Sequence, residues 1–79
     1  MKIGPIENAD QLVRAEAERE RFLSAAAYVR CNPAPPDIME QLWLAQAEAC
    51  EEIAREFEAE IADYRQRKWD REKGDATNP

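Results

Sequence analysis

Apolar side chains recur at helical spacing through the second half of the chain. The positions are three or four residues apart, so they share one face of a helix with 3.6 residues per turn. No proline interrupts this segment, and Asp37 followed by Glu40 forms a capping-box pattern at its start. The pattern predicts a helix over residues 37–73, with Gly74 as its C-terminal stop. The stripe runs through Met39, Leu42, Trp43, Gln46, Ala49, Cys50, Ile53, Phe57, Ile61, Tyr64 and Lys68.

A shorter amphipathic segment precedes this helix. Asn8 is a candidate N-cap, and Gln11 three residues later completes a capping-box pattern. Three prolines within residues 32–36 then remove N–H donors and disfavour the α conformation in the residues before them. We therefore predict a first helix over residues 9–31 and a Pro-rich turn over 32–36. The apolar positions of this helix are Leu12, Ala15, Phe22, Leu23, Ala26 and Val29.

Two helices joined by a short turn predict an all-α fold, an antiparallel hairpin with a longer second helix. We expect this single hairpin to occupy residues 1–73 and residues 74–79 to form a disordered tail. With Arg30 placed opposite Ile38, paired residue numbers sum to about 68. The second helix then extends beyond the first, and Ile3–Ile6 is expected to fold back over part of that extension.

The apolar arc of the second helix is wider than one neighbouring helix covers. It spans roughly 180°, whereas a single neighbour needs about 100°. The remaining apolar surface predicts association, and the simplest closure is a homodimer that forms a four-helix bundle or coiled coil. A different protein partner would cover the same surface. The predicted interface residues are Leu42, Trp43, Ile53, Phe57, Ile61, Tyr64 and Trp69.

Arg19 and Trp69 are two of the positions that depart from the helical pattern. Arg19 lies on the apolar stripe of the first helix, where an unpaired charge is costly, so we expect an ion pair with Glu52 or Glu56. Trp69 lies on the face where the pattern predicts solvent, and its neighbours are basic. Aromatic residues with arginine are typical of interface hot spots, although single exposed apolar residues are also common.

Charge is concentrated in one segment. The chain has a net charge of −6, and Glu48–Asp63 contains seven acidic residues against Arg55. A field of this sign repels phosphate, so we expect no direct nucleic-acid binding. The surface either meets a basic protein or is only solvated. The predicted acidic face consists of Glu48, Glu51, Glu52, Glu56, Glu58 and Asp63.

The usual catalytic groups are missing from the sequence. It has no histidine, no Gly-rich loop and no serine or cysteine with a plausible base, so we expect a non-enzyme without a cofactor. The spacing of four glutamates imitates part of a bundle di-metal site, but such sites also use histidines, so we expect no metal. These glutamates are Glu48, Glu51, Glu52 and Glu56.

The cysteines and the hydropathy bear on the cellular compartment. Cys31 beside the turn and Cys50 within the second helix are predicted to lie ~20 Å apart, too far for a disulfide, so we expect both to be reduced. No apolar run approaches the roughly 18 residues of a membrane span, and Met1–Pro5 lacks a signal-peptide core. We expect a cytoplasmic protein without membrane contact.

Four segments together carry a family resemblance. They are Ile6-Glu7-Asn8-Ala9-Asp10-Gln11-Leu12, Ala15-Glu16-Ala17-Glu18 with Phe22, Leu42-Trp43-Leu44-Ala45-Gln46-Ala47-Glu48 and Glu58-Ala59-Glu60-Ile61-Ala62-Asp63-Tyr64. Residues 3–66 thereby resemble the helical hairpin that precedes the helix-turn-helix of XRE-type regulators, including HigA-like antitoxins. The resemblance implies a regulatory module that dimerises or contacts a partner such as a toxin. No helix-turn-helix follows Lys73, so DNA binding is not carried over.

Two other classes fit the same residues. The first is a small acidic inhibitor of the phage type, whose acidic face blocks a basic, nucleic-acid-binding surface of host machinery, as anti-CRISPR-like proteins do. The second is a structural dimer or assembly adaptor. Salt dependence separates them, because contacts between opposite charges weaken steeply with salt and apolar helix contacts do not.

Overall fold

The computed structural model describes the backbone of residues 4–77 and the side chains of residues 4–72. It contains two helices, α1 (Ala9–Cys31) and α2 (Glu40–Thr77), and no strand within residues 4–77. The helices pack against each other along their length. The predicted all-α hairpin with a longer second helix is confirmed, and α1 has its predicted bounds.

The start of α1 follows its capping signal with one difference. Asn8 is the N-cap in an extended conformation, and its side-chain oxygen accepts a hydrogen bond of 2.8 Å from the amide of Gln11. The Gln11 side chain accepts in return from the amide of Glu7, at 2.8 Å. In a standard capping box, the second hydrogen bond comes from the amide of the N-cap residue itself. Here it comes from the amide of Glu7, one residue before the N-cap, and two backbone N–H groups gain partners.

The start of α2 corrects the prediction. The amide of Ile38 donates to the carbonyl oxygen of Pro35 at 3.0 Å, which closes a β-turn with Asp37 inside it. The helix therefore begins at Glu40 and not at residue 37. Because Asp37 is held in this turn, the predicted Asp37–Glu40 capping box is wrong.

The end of α2 also differs from the prediction. The helix continues through Gly74 to Thr77. A glycine that ends a helix usually adopts a positive φ, and no described glycine does so. The disordered tail predicted for residues 74–79 is therefore wrong for residues 74–77, and residues 78–79 lie outside the described range.

The two helices meet along a seam in which positions alternate three and four residues apart. This is heptad spacing, and it combines small alanines with large side chains. Phe22 stacks on Phe57 near the middle, with ring centroids 6.1 Å apart. On α1 the seam consists of Leu12, Ala15, Arg19, Phe22, Ala26 and Val29, and on α2 of Trp43, Ala47, Cys50, Ala54, Phe57, Ile61 and Tyr64.

The predicted pairing of the helices is wrong by about two turns. Arg30, which was expected opposite Ile38, instead bonds to Glu51 at 2.7 Å. The turn extends over residues 32–39, because the β-turn of residues 35–38 begins within the Pro-rich segment and α2 begins only at Glu40. α1 consequently covers more of α2 than expected, and Ile61 is buried beneath it.

The segment before α1 closes the open end of the hairpin. Ile6 is buried in a cluster with Ala15 and Ile61. The guanidinium of Arg67 donates to the carbonyl oxygen of Ile6 at 2.8 Å. The prediction that this segment folds back is confirmed for Ile6, and Ile3 lies outside the described residues.

Trp43 closes the turn end of the hairpin. Its indole N–H donates to the carbonyl oxygens of Val29 and Asn32, at 3.0 and 2.9 Å. The ring also packs against a cluster that contains Ala47. One side chain thereby binds the last turn of α1, its C-cap and the first turns of α2.

Two alanines of α2 test the position of the seam. Ala47 is 0% exposed, so Ala47→Leu places three extra carbon atoms between the helices and should destabilise the protein by about 1–3 kcal/mol. Ala45 is exposed on the outer face of α2, so Ala45→Leu should change stability by less than about 0.5 kcal/mol. Urea unfolding, monitored through the helical content, measures both changes in stability. Equal losses would place the seam elsewhere.

Candidate interaction surface

The seven predicted interface residues divide into two groups in the structure. Trp43, Phe57, Ile61 and Tyr64 pack in the clusters between α1 and α2 of one chain. Their apolar area is therefore used mainly within the hairpin. The remaining three, which α1 does not bury, are Leu42, Ile53 and Trp69.

One edge of the hairpin, which we call the ionic edge, is lined by ion pairs between the helices. Arg19 contacts Glu58 at 2.8 Å, and Arg30 makes two hydrogen bonds to Glu51, at 2.7 and 2.8 Å. The third pair, Glu16 with Arg65, is 3.5 Å apart. All are partly exposed, so each contributes modestly to stability.

The predicted ion pair of Arg19 exists, but its partner differs. Arg19 was expected to meet Glu52 or Glu56, and it bonds to Glu58 instead. The shifted pairing of the helices carries Arg19 further along α2, and Glu58 points toward α1 at that height. A charge on the apolar stripe is thereby satisfied at the border of the seam.

The ion pair between Arg30 and Glu51 has an electrostatic consequence. The hydrogen bond from the Arg30 guanidinium lowers the pKa of Glu51 below its ordinary value of 4.5. The same hydrogen bond raises the pKa of Arg30. Both groups are exposed to solvent, so the effect concerns their protonation more than the stability of the fold.

The predicted acidic face is only partly available. Glu51 and Glu58 pair with arginines of α1, and Asp63 pairs with Arg67 at 2.9 Å. Among the described ion pairs none includes the other three members, Glu48, Glu52 and Glu56. These three follow one another at four-residue spacing along α2.

The edge opposite the ionic edge carries an exposed apolar surface near the turn. At about 100° per residue, its members lie on the other side of the seam from Glu51 and Glu58. Tyr28 is 63% exposed, Met39 64% and Leu42 60%. We call this surface the turn patch, and it consists of Ala25, Tyr28, Met39, Leu42, Ala49 and Ile53, with Gln46 among them.

A shallow groove of about 250 Å³ continues the same edge toward the open end of the hairpin. Pro5, Ile6 and Phe57 form apolar walls, and Arg14 and Glu18 also line it. The edge therefore changes from apolar near the turn to mixed in character at the open end.

Sequence reasoning placed only part of the turn patch. Leu42 and Ile53 were predicted as contact residues, and Met39 lay on the predicted stripe. Tyr28 was missed, because it is one aromatic residue outside the stripe of α1. Only the structure shows its position, in which its ring packs edge-on against Trp43 with the ring centroids 6.5 Å apart.

Trp69 lies on α2 at the open end of the hairpin, near the level at which α1 begins. It is exposed, as are the neighbouring Lys68 and Arg71. Arg67, in contrast, is engaged by Asp63 and by the carbonyl oxygen of Ile6. Trp69 is therefore separated from the turn patch by most of the length of the hairpin, so the two do not form one continuous surface.

The remaining chemistry on the described residues is limited. Cys31 and Cys50 are both free. Within residues 4–72, no three histidine, cysteine or acidic side chains are grouped to hold a metal ion. Neither described helix has a stretch long and apolar enough to cross a membrane. Comparison with protein-family models, with curated proteins and with solved structures finds no match to this chain.

The pKa of Glu51 provides a test of the ionic edge. We expect Arg30→Gln to raise it, because the charged hydrogen bond that favours the carboxylate is lost. In the wild type, the contribution of this pair to stability is present above pH 4.5 and is lost as pH falls through the lowered pKa. NMR titration of the Glu51 carboxyl carbon measures the shift. Arg14→Gln is the control and should leave the pKa of Glu51 unchanged.

Proposed function

We propose that this protein is a small, non-enzymatic protein–protein interaction module that acts by helix-to-helix contact. The supporting observation is the turn patch, which stays exposed although α1 and α2 already cover each other's seam. Exposed apolar surface of this kind is typical of protein contact sites. Its residues lie on two adjacent helices, a geometry that suits another helix pair.

The biological role in this proposal is regulatory. It rests on the sequence resemblance of residues 3–66 to the hairpin of HigA-like antitoxin regulators. In that role the hairpin forms a homodimer, engages a protein partner, or does both. Neither activity needs a catalytic residue, a cofactor or a metal, and we propose that the protein works in the cytoplasm.

One observation favours the second candidate, an inhibitor that blocks a basic, nucleic-acid-binding surface. Glu48, Glu52 and Glu56 form a row along α2, and none of them belongs to a described ion pair. A basic groove would attract such a row electrostatically. The other three acidic residues are already paired within the chain, which reduces the charge that this surface offers.

Leu42→Lys tests whether the turn patch is the contact surface. Leu42 is 60% exposed and lies outside the seam, so the variant should keep its helicity while losing self-association. Light scattering during size exclusion, over a dilution series, measures mass against the 9.1 kDa chain. We expect a dimer for the wild type and a monomer for Leu42→Lys at the same concentration.

Val13→Lys is the matched control for this experiment. Val13 is 66% exposed, but it lies on the outer face of α1, away from the turn patch. The Val13→Lys variant should dimerise as the wild type does. A wild-type dimer that both variants leave intact would show that the turn patch is not the contact surface.

A further inference from the structure

We infer that the Pro-rich segment, residues 32–36, is a separate contact site that binds a protein domain with a groove lined by aromatic side chains. Domains of this kind recognise short segments in the polyproline II conformation, a left-handed helix with three residues per turn. The site lies at the turn end of the hairpin, and its recognition does not require the helix-to-helix contact proposed above.

The residue types of the Pro-rich segment restrict its backbone to an extended conformation. Each proline ring holds φ near about −65°, and a residue that precedes a proline is disfavoured in the α conformation. The second restriction applies to Asn32, Ala34 and Pro35. Asn32 is extended, with φ −125° and ψ 144°, and the backbone runs without a bend over residues 33–35. Residues 33–35 therefore fit polyproline II.

The exposed rings of this segment lie on one side of it. With three residues per turn, positions 33 and 36 share a face of a polyproline II helix, about 9 Å apart. Pro33 and Pro36 are exposed, and we call these two rings the proline ridge. Ala34 and Pro35, which lie between them, are half-buried. Aromatic-lined grooves bind prolines at this spacing, so the face that such a groove needs is the exposed one.

Hydrogen bonds fix both ends of the segment. The indole N–H of Trp43 donates to the carbonyl oxygen of Asn32 at 2.9 Å. At the other end, the amide of Ile38 donates to the carbonyl oxygen of Pro35 at 3.0 Å. Among the described hydrogen bonds none uses the two carbonyl oxygens between these ends, so both can accept from indole or hydroxyl groups of a partner. A segment held in this way loses little conformational entropy on binding.

The charges next to the proline ridge define the partner further. Asp37 comes directly after Pro36, and Glu40 is the first residue of α2. Both side chains are exposed, and neither belongs to a described ion pair. Arg30, the cation that precedes the segment, is already bound to Glu51. We therefore expect a groove with a basic residue beside the pocket that receives Pro36.

Titration with isolated domains that bind polyproline II tests the site. The probes are WW and SH3 domains, one set with lysine or arginine beside the aromatic groove and one set with aspartate or glutamate there. Each domain is added to the isotope-labelled chain, and NMR follows the backbone amide shifts. We expect domains of the basic set to bind with dissociation constants below about 1 mM and to shift the amides of Asn32, Ala34 and Asp37. The acidic set should bind about three-fold more weakly or not at all.

Single proline substitutions test the proline ridge. Pro33→Ala and Pro36→Ala each remove one exposed ring, so each should weaken binding about five-fold or more. Pro35→Ala is the matched control, because it loosens the same segment but changes its half-buried face, and it should weaken binding less than about two-fold. Thermal unfolding followed by circular dichroism checks that each variant keeps its fold. If Pro35→Ala unfolds, Pro5→Ala replaces it as the control.

Removal of one charge tests the basic rim of the partner. Asp37→Asn should weaken binding to the basic set about three-fold at low salt, and the difference should disappear at high salt. Glu48→Gln removes the same charge about 12 Å further along α2 from Glu40, so it should change binding much less. Equal effects of the two variants would mean that only the net charge of the chain matters.

Each failure has its own meaning. If no domain of either set binds at about 1 mM, or if the shifted amides lie in the turn patch and not in residues 32–37, the inference is wrong. If Pro35→Ala weakens binding as much as Pro33→Ala and Pro36→Ala do, the proline ridge is not the surface that the domain contacts. None of these results bears on the helix-to-helix contact, which Leu42→Lys tests separately.

Discussion

The close approach of α1 and α2 along the seam is the constraint on which the rest of the structure depends. Alanines such as Ala26 and Ala47 let the helices come near each other, and the stacked rings of Phe22 and Phe57 fill the space between them. A chain of 79 residues has no second layer to compensate for a poor fit. Trp43 closes the turn end of the hairpin, and Ile6 together with Arg67 closes the open end.

The choice of seam decides what remains on the surface. The apolar arc of α2 is broad enough for two possible seams, one centred on Ile53 and one on the line through Ala47 and Ala54. The structure uses the second line, because alanines allow tighter packing against α1 than branched side chains do. Ile53 is consequently left half-buried and Leu42 exposed, and the apolar surface that supports our proposal is a by-product of how the hairpin packs.

The same seam sorts the charges. On one side it brings the arginines of α1 against acidic residues of α2, such as Arg30 against Glu51, and pairs them within the chain. On the other side Arg21 lies 3.6 Å from Glu18 of its own helix, so this pair does not join the two helices. A strongly acidic chain thus combines an edge whose charges are paired between the helices with an edge that is apolar near the turn.

The sequence by itself determined the class of fold, the bounds of α1 and the capping by Asn8, because these depend on local spacing, prolines and side-chain-to-backbone bonds. It also indicated that α2 carries more apolar surface than one partner can cover. Only the tertiary structure decided which line of α2 forms the seam, that Arg19 meets Glu58 and that Tyr28 joins the exposed patch. Periodicity defines a face only to within about a quarter of a turn, and the height at which helices pair depends on the turn between them. Here the β-turn that begins at Pro35 contributes to a shift of that height by about two helical turns.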